Sequence, residues 1–342
     1  MASDRKTNRP PISTGYDVAL LDLDGVVYTG HGAVPGAVPA LAAARAAGMR
    51  LAFVTNNASR TPSAVAAHLT RLGVPATSDD VVTSAQAAAT LIASKVPPGS
   101  AVLVAGATGL RMALRARGLR PVSVAADKPA AVVQGFNPEI GYGQLAEAAI
   151  AVRNGALFVA SNADLTIPSP RGLQPGNGSM IQVIVSATGV APEVAGKPEP
   201  PLHREAVERT GAKRPLVVGD RLDTDIEGAF RGGADSLLVL TGVSTPRETV
   251  LAPPSQRPTY ISGDLSGLLQ DQPVISELPG STSERSWGGW TASRPSPGDP
   301  IELAGYGDPV DGLRALCALA WSAGQVNAEI AGPALKVLET SF

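Results

Sequence analysis

The chain of 342 residues is longer than one average domain, and its 44% hydrophobic but only 4% aromatic content favours helices packed on a parallel sheet over an all-β sandwich. With 28 Lys and Arg against 30 Asp and Glu, the formal net charge of −2 provides no broad basic surface, so neither nucleic acid nor an anionic membrane is expected as a partner. The single cysteine, the lack of a signal-peptide pattern and the lack of an apolar run of about 20 residues predict a cytoplasmic protein without a membrane span.

The first part of the chain alternates strand and helix patterns. Residues 1–14 are polar and have no apolar periodicity, so we predict a flexible arm. Val18–Leu21 is an apolar run of the buried-strand type that stops at Asp22. A helix is expected over residues 35–47 and a strand over residues 51–54. The alternation returns later in the chain with helices at 179–188, 201–209 and 225–231 and strands at 216–218 and 237–240.

The middle of the chain, residues 84–175, carries an alternation of its own that is far longer than the dozen or so residues of a simple crossover. It predicts three helices that end near residues 94, 117 and 152, and strands at residues 102–104, 131–133 and 157–160. We therefore predict an α/β fold in which a doubly wound parallel sheet, residues 15–83 and 176–270, forms the core. Residues 84–175 are predicted to be an inserted α/β cap domain.

The last part, residues 271–342, is rich in Pro, Gly and Ser before a helical stripe appears. We interpret the stripe as core or as a dimer contact; its members are Leu313, Leu316, Cys317 and Ala320. The region is predicted to be a small accessory α/β fragment, packed on the core or on a second subunit. The cap and this C-terminal region are the two candidate surfaces for a homo-oligomer.

Two carboxylates, Asp22 and Asp24, follow the first strand at positions i and i+2. Such a pair suits phosphate chemistry, because an ionised carboxylate can attack phosphorus while a protonated one gives its proton to the departing alkoxide. For the pair alone, a turn with solvated acids is the alternative. An EF-hand calcium loop does not fit, because its twelfth position would be Ala33.

Two further segments place polar groups where a phosphate could bind. Thr55, Asn56 and Asn57 follow a strand and can hold phosphoryl oxygens through a hydroxyl and backbone N–H groups, although a turn that favours Asn has the same pattern. Lys197 lies in a loop and could neutralise both Asp22 and a phosphate, whereas a lone lysine is usually solvated.

Acids also follow the predicted strand 216–218. Asp220 suits magnesium, which takes a few hard oxygen ligands from protein, whereas an acid such as Asp225 could equally serve a helix N-terminus. All these segments lie just beyond the carboxyl ends of predicted strands, where open α/β sheets bind ligands. We therefore expect the side chains of Asp22 and Asp220 within about 10 Å of each other, close enough to share one ion.

In this order, the motifs resemble those of the haloacid dehalogenase superfamily, and the resemblance covers about residues 15–265. They are specific in combination and are similar to the p-nitrophenyl phosphatase or NagD-like branch. The strings that carry the resemblance are Leu21-Asp22-Leu23-Asp24-Gly25-Val26, Val54-Thr55-Asn56-Asn57, Pro175-Gly176-Asn177-Gly178-Ser179, Gly196-Lys197-Pro198-Glu199-Pro200 and Val218-Gly219-Asp220-Arg221-Leu222-Asp223-Thr224-Asp225-Ile226.

The resemblance implies Mg²⁺ as cofactor and a role for each motif. Asp22 would be the nucleophile and a metal ligand, and Asp24 the general acid and then base, with its backbone carbonyl on the metal. Asp220 would complete the ligand set, with Asp225 in the outer shell. The residues implied for the phosphoryl group are Thr55, Asn56, Asn57 and Lys197. An acid at position 24 favours a phosphate ester over a halide, because a halide leaves without a proton.

The substrate is expected to be a small phosphate ester selected by the cap. The stretch before Thr55 has room for one helix, whereas the stretch before Lys197 is far longer, so the lid is the second insertion and restricts substrates to small molecules. In the resembling family a cap loop contacts the leaving group, which makes Asn162, Asp164 and Ile167 the candidates here. An Asx-rich turn is the alternative for this loop.

Ile167 offers neither charge nor an aromatic surface, which favours a small polyol phosphate over a nucleotide or pyridoxal phosphate. The chain looks similar to bacterial glycerol 3-phosphate phosphatases, and glycerol 3-phosphate is the substrate we predict. Phosphoglycolate, a nucleoside monophosphate and pyridoxal phosphate are the alternatives. A non-enzymatic alternative is an inactive phosphate-binding protein that recruits a partner. A glycine turn at residues 102–109 suggests a dinucleotide site, but Met112 stands where the third glycine would be.

Overall fold

The computed structural model describes residues 10–167, 171–322 and 327–341, and the chain forms two compact units. The first unit comprises Met1–Leu51 and Lys213–Phe342, and the second comprises Ala52–Ala212. The second unit thus contains all of the predicted cap together with residues on either side that the sequence assigns to the core. The predicted domain boundaries themselves stay a prediction.

Four parallel strands of the first unit run in the order Tyr260–Ser262, Asp235–Val239, Pro215–Gly219 and Val18–Leu21. Their central residues are almost completely buried, as expected for parallel strands that are covered on both faces. Leu21 lies beside Val218 in the ladder. The segments that follow these two strands therefore leave the sheet at neighbouring positions on its carboxyl edge.

The helices of the first unit begin close to where the sequence predicts them. The predicted flexible arm lies mostly outside the described residues, and its described end forms a helical turn in which Ile12 is 4% exposed, so this part is packed. The predicted helix 225–231 begins two residues later, because a π-helical turn precedes it. The α-helices are Ile12–Gly15, Ala37–Ala46, Glu227–Gly232, Pro246–Val250, Pro309–Ser322 and Ala328–Glu339, and the π-helical turn is Leu222–Ile226.

The C-terminal region of the first unit contains a three-stranded antiparallel sheet that the sequence analysis missed. Its strands are Glu284–Trp287, Trp290–Ser293 and Glu302–Gly305. The first two are joined by Gly288 and Gly289 with φ of +57° and +86°, which makes this a two-residue hairpin of the kind that requires positive φ at both positions. The Gly-Gly pair between two tryptophans is the sequence feature from which this hairpin could have been predicted.

The helix Pro309–Ser322 ties this region to the strand Tyr260–Ser262. The predicted apolar stripe is core, since Leu313, Leu316 and their neighbours pack in one buried cluster with Ile261. Arg314 is only 7% exposed, and its Nε and Nη2 donate to the carbonyl of Ile261 at 3.0 and 2.6 Å. A buried guanidinium bonded to a main-chain carbonyl fixes this helix on the edge of the parallel strands.

The second unit has a five-stranded parallel sheet in the order Glu193–Val194, Leu157–Ala160, Ala131–Gln134, Ala101–Ala105 and Arg120–Val122. The three central strands were predicted, and the two short outer ones were not. A further pair is formed by Val81–Thr83 and the end of Arg50–Thr55. The helices of this unit are Pro62–Arg71, Ser84–Ala93, Thr108–Ala116, Tyr142–Arg153, Asn177–Thr188 and Pro200–Thr210. Among the helices of the described ranges, none combines the length and the apolar character that a bilayer crossing needs.

Candidate active site

Three carboxylates meet at the strand ends of the first unit. Asp22, Asp220 and Asp225 each offer an oxygen within 4.8 Å of the oxygens offered by the other two. Asp220 and Asp225 are each 1% exposed, and Asp22 is partly buried. This separation is well inside the 10 Å limit set above, and three hard oxygen donors so close together are suited to Mg²⁺. The parallel pairing of Leu21 with Val218 explains how residues so far apart in sequence meet.

Asp220 accepts a hydrogen bond from a backbone N–H group and packs against two glycines that have no side chain. The N–H of Val243 donates to Asp220 Oδ2 at 2.7 Å. A Cβ at Gly25 would lie 2.5 Å from the same oxygen, and a Cβ at Gly242 would lie 1.9 Å from it. Only glycine fits at these two positions without moving the carboxylate. This loop was not predicted from the sequence, although it follows the strand Asp235–Val239 at the same sheet edge and could have been included on that ground.

The turn after Asp24 is fixed in the same way. Thr241 Oγ1 donates to the carbonyl of Gly25 at 2.5 Å, and the N–H of Gly25 donates to the carbonyl of Tyr28 at 2.8 Å. Leu23 is buried, whereas the side chain of Asp24 is exposed. Within the described residues, the three-acid group is completed by Asp225 and does not include the Asp24 carboxylate. The role of Asp24 as acid and base stays a prediction.

Asp225 lies closer to the predicted ligands than an outer-shell assignment requires. The π-helical turn Leu222–Ile226 brings its carboxylate back toward Gly219, where a Cβ would lie 2.2 Å from the Asp225 Cβ. The N–H of Arg221 donates to Asp225 Oδ2 at 3.2 Å. Asp223, in contrast, is exposed and forms an ion pair with Arg221 at 2.8 Å. Of these two acids, only Asp225 is directed into the cluster.

In the second unit, Asn56 connects the predicted phosphate-binding residues. Its Oδ1 accepts from the N–H of Lys197 at 2.8 Å, and its Nδ2 donates to the Lys197 carbonyl at 3.1 Å. The ammonium of Lys197 donates to the carbonyl of Val54 at 3.3 Å. Thr55 is 4% exposed, and its hydroxyl accepts from the N–H of Asn57 at 3.1 Å. The threonine and the lysine are therefore brought to one place within this unit.

The side chain of Asn57 forms a local turn. Its Oδ1 accepts from the N–H of Ser59 at 2.8 Å and from the N–H of Arg60 at 3.3 Å. This is the Asx-type arrangement that the sequence analysis gave as the alternative. The Asn57 side chain therefore stabilises the conformation of this loop.

Two of the three predicted leaving-group residues join the same cluster. Asn162 is 4% exposed and donates through Nδ2 to the carbonyl of Asn56 at 2.8 Å. Asn56 in turn donates to Asp164 Oδ2 at 3.3 Å. Ile167 lies further along, in the two-residue strand Thr166–Ile167, and is partly buried. Its contact with a leaving group stays a prediction.

The segment after this loop also positions it, and the sequence analysis gave it no role. Asn177, which is 1% exposed, donates through Nδ2 to the carbonyl of Asn162 at 2.7 Å. Gly178 donates its N–H to the carbonyl of Asp164 at 2.8 Å, and a Cβ there would lie 2.3 Å from the Ala163 carbonyl oxygen. The Gly-Asn-Gly string quoted for the family resemblance thus holds the predicted leaving-group loop.

The glycine turn at residues 102–109 has a packing role. The N–H of Gly109 donates to the carbonyl of Ser59 at 3.1 Å, and a Cβ at Gly109 would lie 2.3 Å from the Ala58 carbonyl oxygen. The backbone of the neighbouring loop therefore packs against this helix N-terminus, the end of the helix at which a dinucleotide site would bind pyrophosphate. This arrangement explains the glycine without a nucleotide.

Comparison with protein families places the motifs in known sequence patterns. Residues 19–120 match the model for haloacid dehalogenase-like hydrolases, and residues 194–268 match a second model described as HAD-hydrolase-like. Residues 287–340 match a GCN5-related N-acetyltransferase like domain. This last match covers most of the C-terminal sheet and its two helices, the region for which the sequence analysis predicted only an accessory fragment.

Individual relatives and solved structures agree with the two hydrolase family models. The chain is 48% identical over 312 residues to D-glycerol 3-phosphate phosphatase of Mycobacterium tuberculosis, covering 91% of this chain and 88% of the relative. It is 39% identical over 253 residues to the acid sugar phosphatase of Staphylococcus aureus, covering 73% and 96%. The structure of the Mycobacterium tuberculosis glycerol phosphate phosphatase in complex with magnesium superimposes with a TM-score of 0.87 at 44% identity, covering 96% of this chain and 99% of that one. The thermostable NPPase of Geobacillus stearothermophilus gives 0.67 at 36%, covering 73% and 97%.

The chain belongs to the haloacid dehalogenase-like hydrolase family. Within this family it is a phosphoric monoester hydrolase, in line with the phosphatases among its relatives. The predictions of an α/β fold with a parallel sheet and of a hydrolytic enzyme are confirmed.

Proposed function

We propose that the protein is a magnesium-dependent phosphatase that hydrolyses glycerol 3-phosphate through an aspartyl phosphate on Asp22. The observation that carries the mechanism is the group of three carboxylates, Asp22, Asp220 and Asp225, with oxygens within 4.8 Å of one another. The substrate is supported by the 48% identity to a D-glycerol 3-phosphate phosphatase over 88% of that relative's length.

The three carboxylates are the groups that would hold Mg²⁺. They offer hard oxygen donors, two of them from buried acids, and the lack of a Cβ at Gly25 and Gly242 provides the space that the Asp220 carboxylate occupies. Bound magnesium offsets the repulsion between an anionic carboxylate and an anionic phosphate and lowers the energy of the charge that develops in the transition state.

The reaction steps fall to residues of the chain. An oxygen of Asp22 attacks phosphorus, forming an acyl phosphate as the bond between phosphorus and the ester oxygen breaks. Asp24 gives its proton to the departing alkoxide and then takes a proton from the water that attacks the acyl phosphate. This second attack releases inorganic phosphate and regenerates Asp22. We assign Thr55 and Lys197 to the phosphoryl oxygens, which carry negative charge throughout.

The leaving group is assigned to Asn162, Asp164 and Ile167. A carboxylate and an amide oxygen accept hydrogen bonds from hydroxyl groups, as the two free hydroxyls of glycerol 3-phosphate would provide. The carboxylate of phosphoglycolate would instead be repelled by Asp164. A nucleobase or pyridoxal ring would need a stacking surface, which Ile167 lacks. Glycerol 3-phosphate therefore fits these residues better than its three alternatives.

A substrate panel tests the proposal. Purified protein is assayed for phosphate release from glycerol 3-phosphate, phosphoglycolate, a nucleoside monophosphate and pyridoxal phosphate, each with Mg²⁺ and with EDTA. We expect the highest kcat/KM for glycerol 3-phosphate, loss of turnover in EDTA and its return when Mg²⁺ is added. A much higher kcat/KM for another phosphate ester of the panel would reject glycerol 3-phosphate as the substrate. Phosphate binding without turnover on any member would support the inactive phosphate-binding alternative.

The cellular setting is a separate proposal. We infer a cytoplasmic location from the single cysteine, Cys317, which is buried and has no second cysteine in this sequence with which to form a disulfide. Self-association through the cap or the C-terminal region also stays a proposal, to be tested by measuring the mass of the protein in solution.

A further inference from the structure

The side chain of Asn56 pairs with the main chain of Lys197 at both of its ends. Its Oδ1 accepts from the Lys197 N–H at 2.8 Å, while its Nδ2 donates to the Lys197 carbonyl at 3.1 Å. An amide placed in this way imitates a neighbouring strand, because it satisfies the donor and the acceptor of one residue together. Such a pair fixes both the position and the orientation of the lysine backbone.

The close approach depends on the residue before the lysine. A Cβ at Gly196 would lie 2.6 Å from Asn56 Oδ1 and 2.5 Å from the carbonyl oxygen of Ser161. Any larger residue would push the two segments apart. Glycine at position 196 therefore belongs to the same arrangement as the amide.

The same asparagine also reaches the predicted leaving-group loop. Its side-chain Nδ2 lies 3.3 Å from Asp164 Oδ2. Its main-chain carbonyl accepts from Asn162 Nδ2 at 2.8 Å and from Ser84 Oγ at 2.6 Å. Both polar ends of the side chain are thus bonded to protein groups. This use of the amide differs from the role of phosphate ligand that the family resemblance implies for Asn56.

We propose that Asn56 is a positioning residue that holds Lys197 and Asp164 together, so that the group for the phosphoryl charge and the group for the leaving alcohol are fixed by one side chain. The proposal rests on the function proposed above for the roles of those two residues. The Lys197 ammonium sits on a flexible four-carbon stem, so the position of its backbone helps to decide where the charge can reach, in addition to the bond from the ammonium to the Val54 carbonyl. A misplacement of about 1 Å at a catalytic group can cost 10²-fold in rate.

Two variants at this position test the proposal. Asn56→Ala removes the pair, and Asn56→Asp keeps an acceptor for the Lys197 N–H but places a second oxygen against the Lys197 carbonyl and against Asp164. We expect kcat/KM for glycerol 3-phosphate to fall by roughly 10²-fold in both. The matched control is Asn154→Ala, an exposed asparagine after the helix Tyr142–Arg153, which should leave kcat/KM unchanged. Thermal unfolding shows that each variant is folded before it is assayed.

A mutant cycle separates positioning from general damage. If Asn56 acts through Lys197 and Asp164, then adding Asn56→Ala to a variant that carries both Lys197→Ala and Asp164→Ala should lower kcat/KM by less than about twofold, because both groups being positioned are already gone. A further drop as large as the one in the wild-type background would overturn the proposal. So would an unchanged kcat/KM in the folded Asn56→Ala and Asn56→Asp variants.

Binding of inorganic phosphate, followed by calorimetry with Mg²⁺ present, provides a readout that does not need turnover. We expect Asn56→Ala and Lys197→Ala to weaken phosphate binding by similar factors and Asn154→Ala to leave it unchanged. Weaker binding in Lys197→Ala alone would refute the positioning role. If the wild-type protein binds phosphate but hydrolyses no member of the panel, the proposed function fails while the role of Asn56 is still decided by these affinities.

Discussion

The two units hold their functional groups by different means. In the first, the carboxylates of Asp220 and Asp225 accept hydrogen bonds from backbone N–H groups and lie against glycines at positions with no space for a Cβ. In the second, Lys197 is fixed by the neutral amide of Asn56. The difference follows from what is being held. A carboxylate accepts only, so N–H donors can fix it, whereas the backbone of a lysine offers a donor and an acceptor, which one amide side chain satisfies together.

The largest effect is expected from the nucleophile. Asp22→Asn retains the shape of the side chain but not its nucleophilic charge, so kcat should fall by about 10⁴- to 10⁶-fold while the protein remains folded. Phosphate release at saturating substrate measures this. The matched control is Asp223→Asn, because Asp223 is exposed and paired with Arg221 outside the three-acid group. Turnover in Asp22→Asn close to that of the wild type would contradict covalent catalysis.

The next effect concerns the space around Asp220. Gly242→Ala places a Cβ where Asp220 Oδ2 now lies, since the two would be 1.9 Å apart. We expect the Mg²⁺ concentration for half-maximal activity to rise by about 10- to 100-fold, as when partners of a metal ligand are lost. A titration of activity with Mg²⁺ measures it. Gly332→Ala serves as control, because a Cβ at Gly332 meets no atom within 4 Å. An unchanged Mg²⁺ requirement would show that this glycine does not hold the acid.

A third effect should appear in stability and leave the metal requirement alone. Arg314→Met removes the bonds to the Ile261 carbonyl and to Gln272, so the free energy of unfolding should fall by about 2–4 kcal/mol. Urea unfolding measures it, with the exposed Arg247→Met as a control expected within about 0.5 kcal/mol of the wild type. A wild-type stability in Arg314→Met would mean that this helix is held by its apolar face alone.

The smallest effect is a pH dependence in the second unit. Burial lowers the pKa of His203 below its ordinary value of 6.5, because the imidazolium would lose hydration. Below about pH 6.5 the His203 imidazole therefore binds a proton in the unfolded chain but not in the folded chain. The free energy of unfolding consequently falls with decreasing pH. Urea unfolding at pH 7.5 and 5.5 should show a smaller loss in His203→Gln than in the wild type. His31→Gln, at an exposed histidine, should not change the loss.

Much of the fold could be predicted because its strands are short apolar runs that stop at polar residues. Val18–Leu21 and Leu157–Ala160 were predicted to the residue for this reason. The meeting of Asp22 with Asp220 followed from one rule, that parallel strands end at the same edge of a sheet. The C-terminal strands were missed, because four residues are too few for an alternation to stand out, and the Gly288-Gly289 turn was not interpreted as a hairpin.

The remaining parts of the site depend on contacts that a linear pattern does not record. Nothing in the sequence near Asn56 indicates that its amide would pair with Lys197, since that pairing requires both segments to be folded. The same holds for Gly242, whose importance comes from an acid in another loop. The sequence therefore identified the residues that do chemistry better than those that position them.

The bond from Arg314 to the Ile261 carbonyl has a consequence for any shortened form of the chain. Ile261 lies in the outermost of the four strands of the first unit, and an uncovered outer strand is a template for the same strand of another molecule. The C-terminal region thus occupies a main-chain acceptor of this outer strand. Chains that end before it are expected to aggregate through this strand even where their catalytic residues are intact.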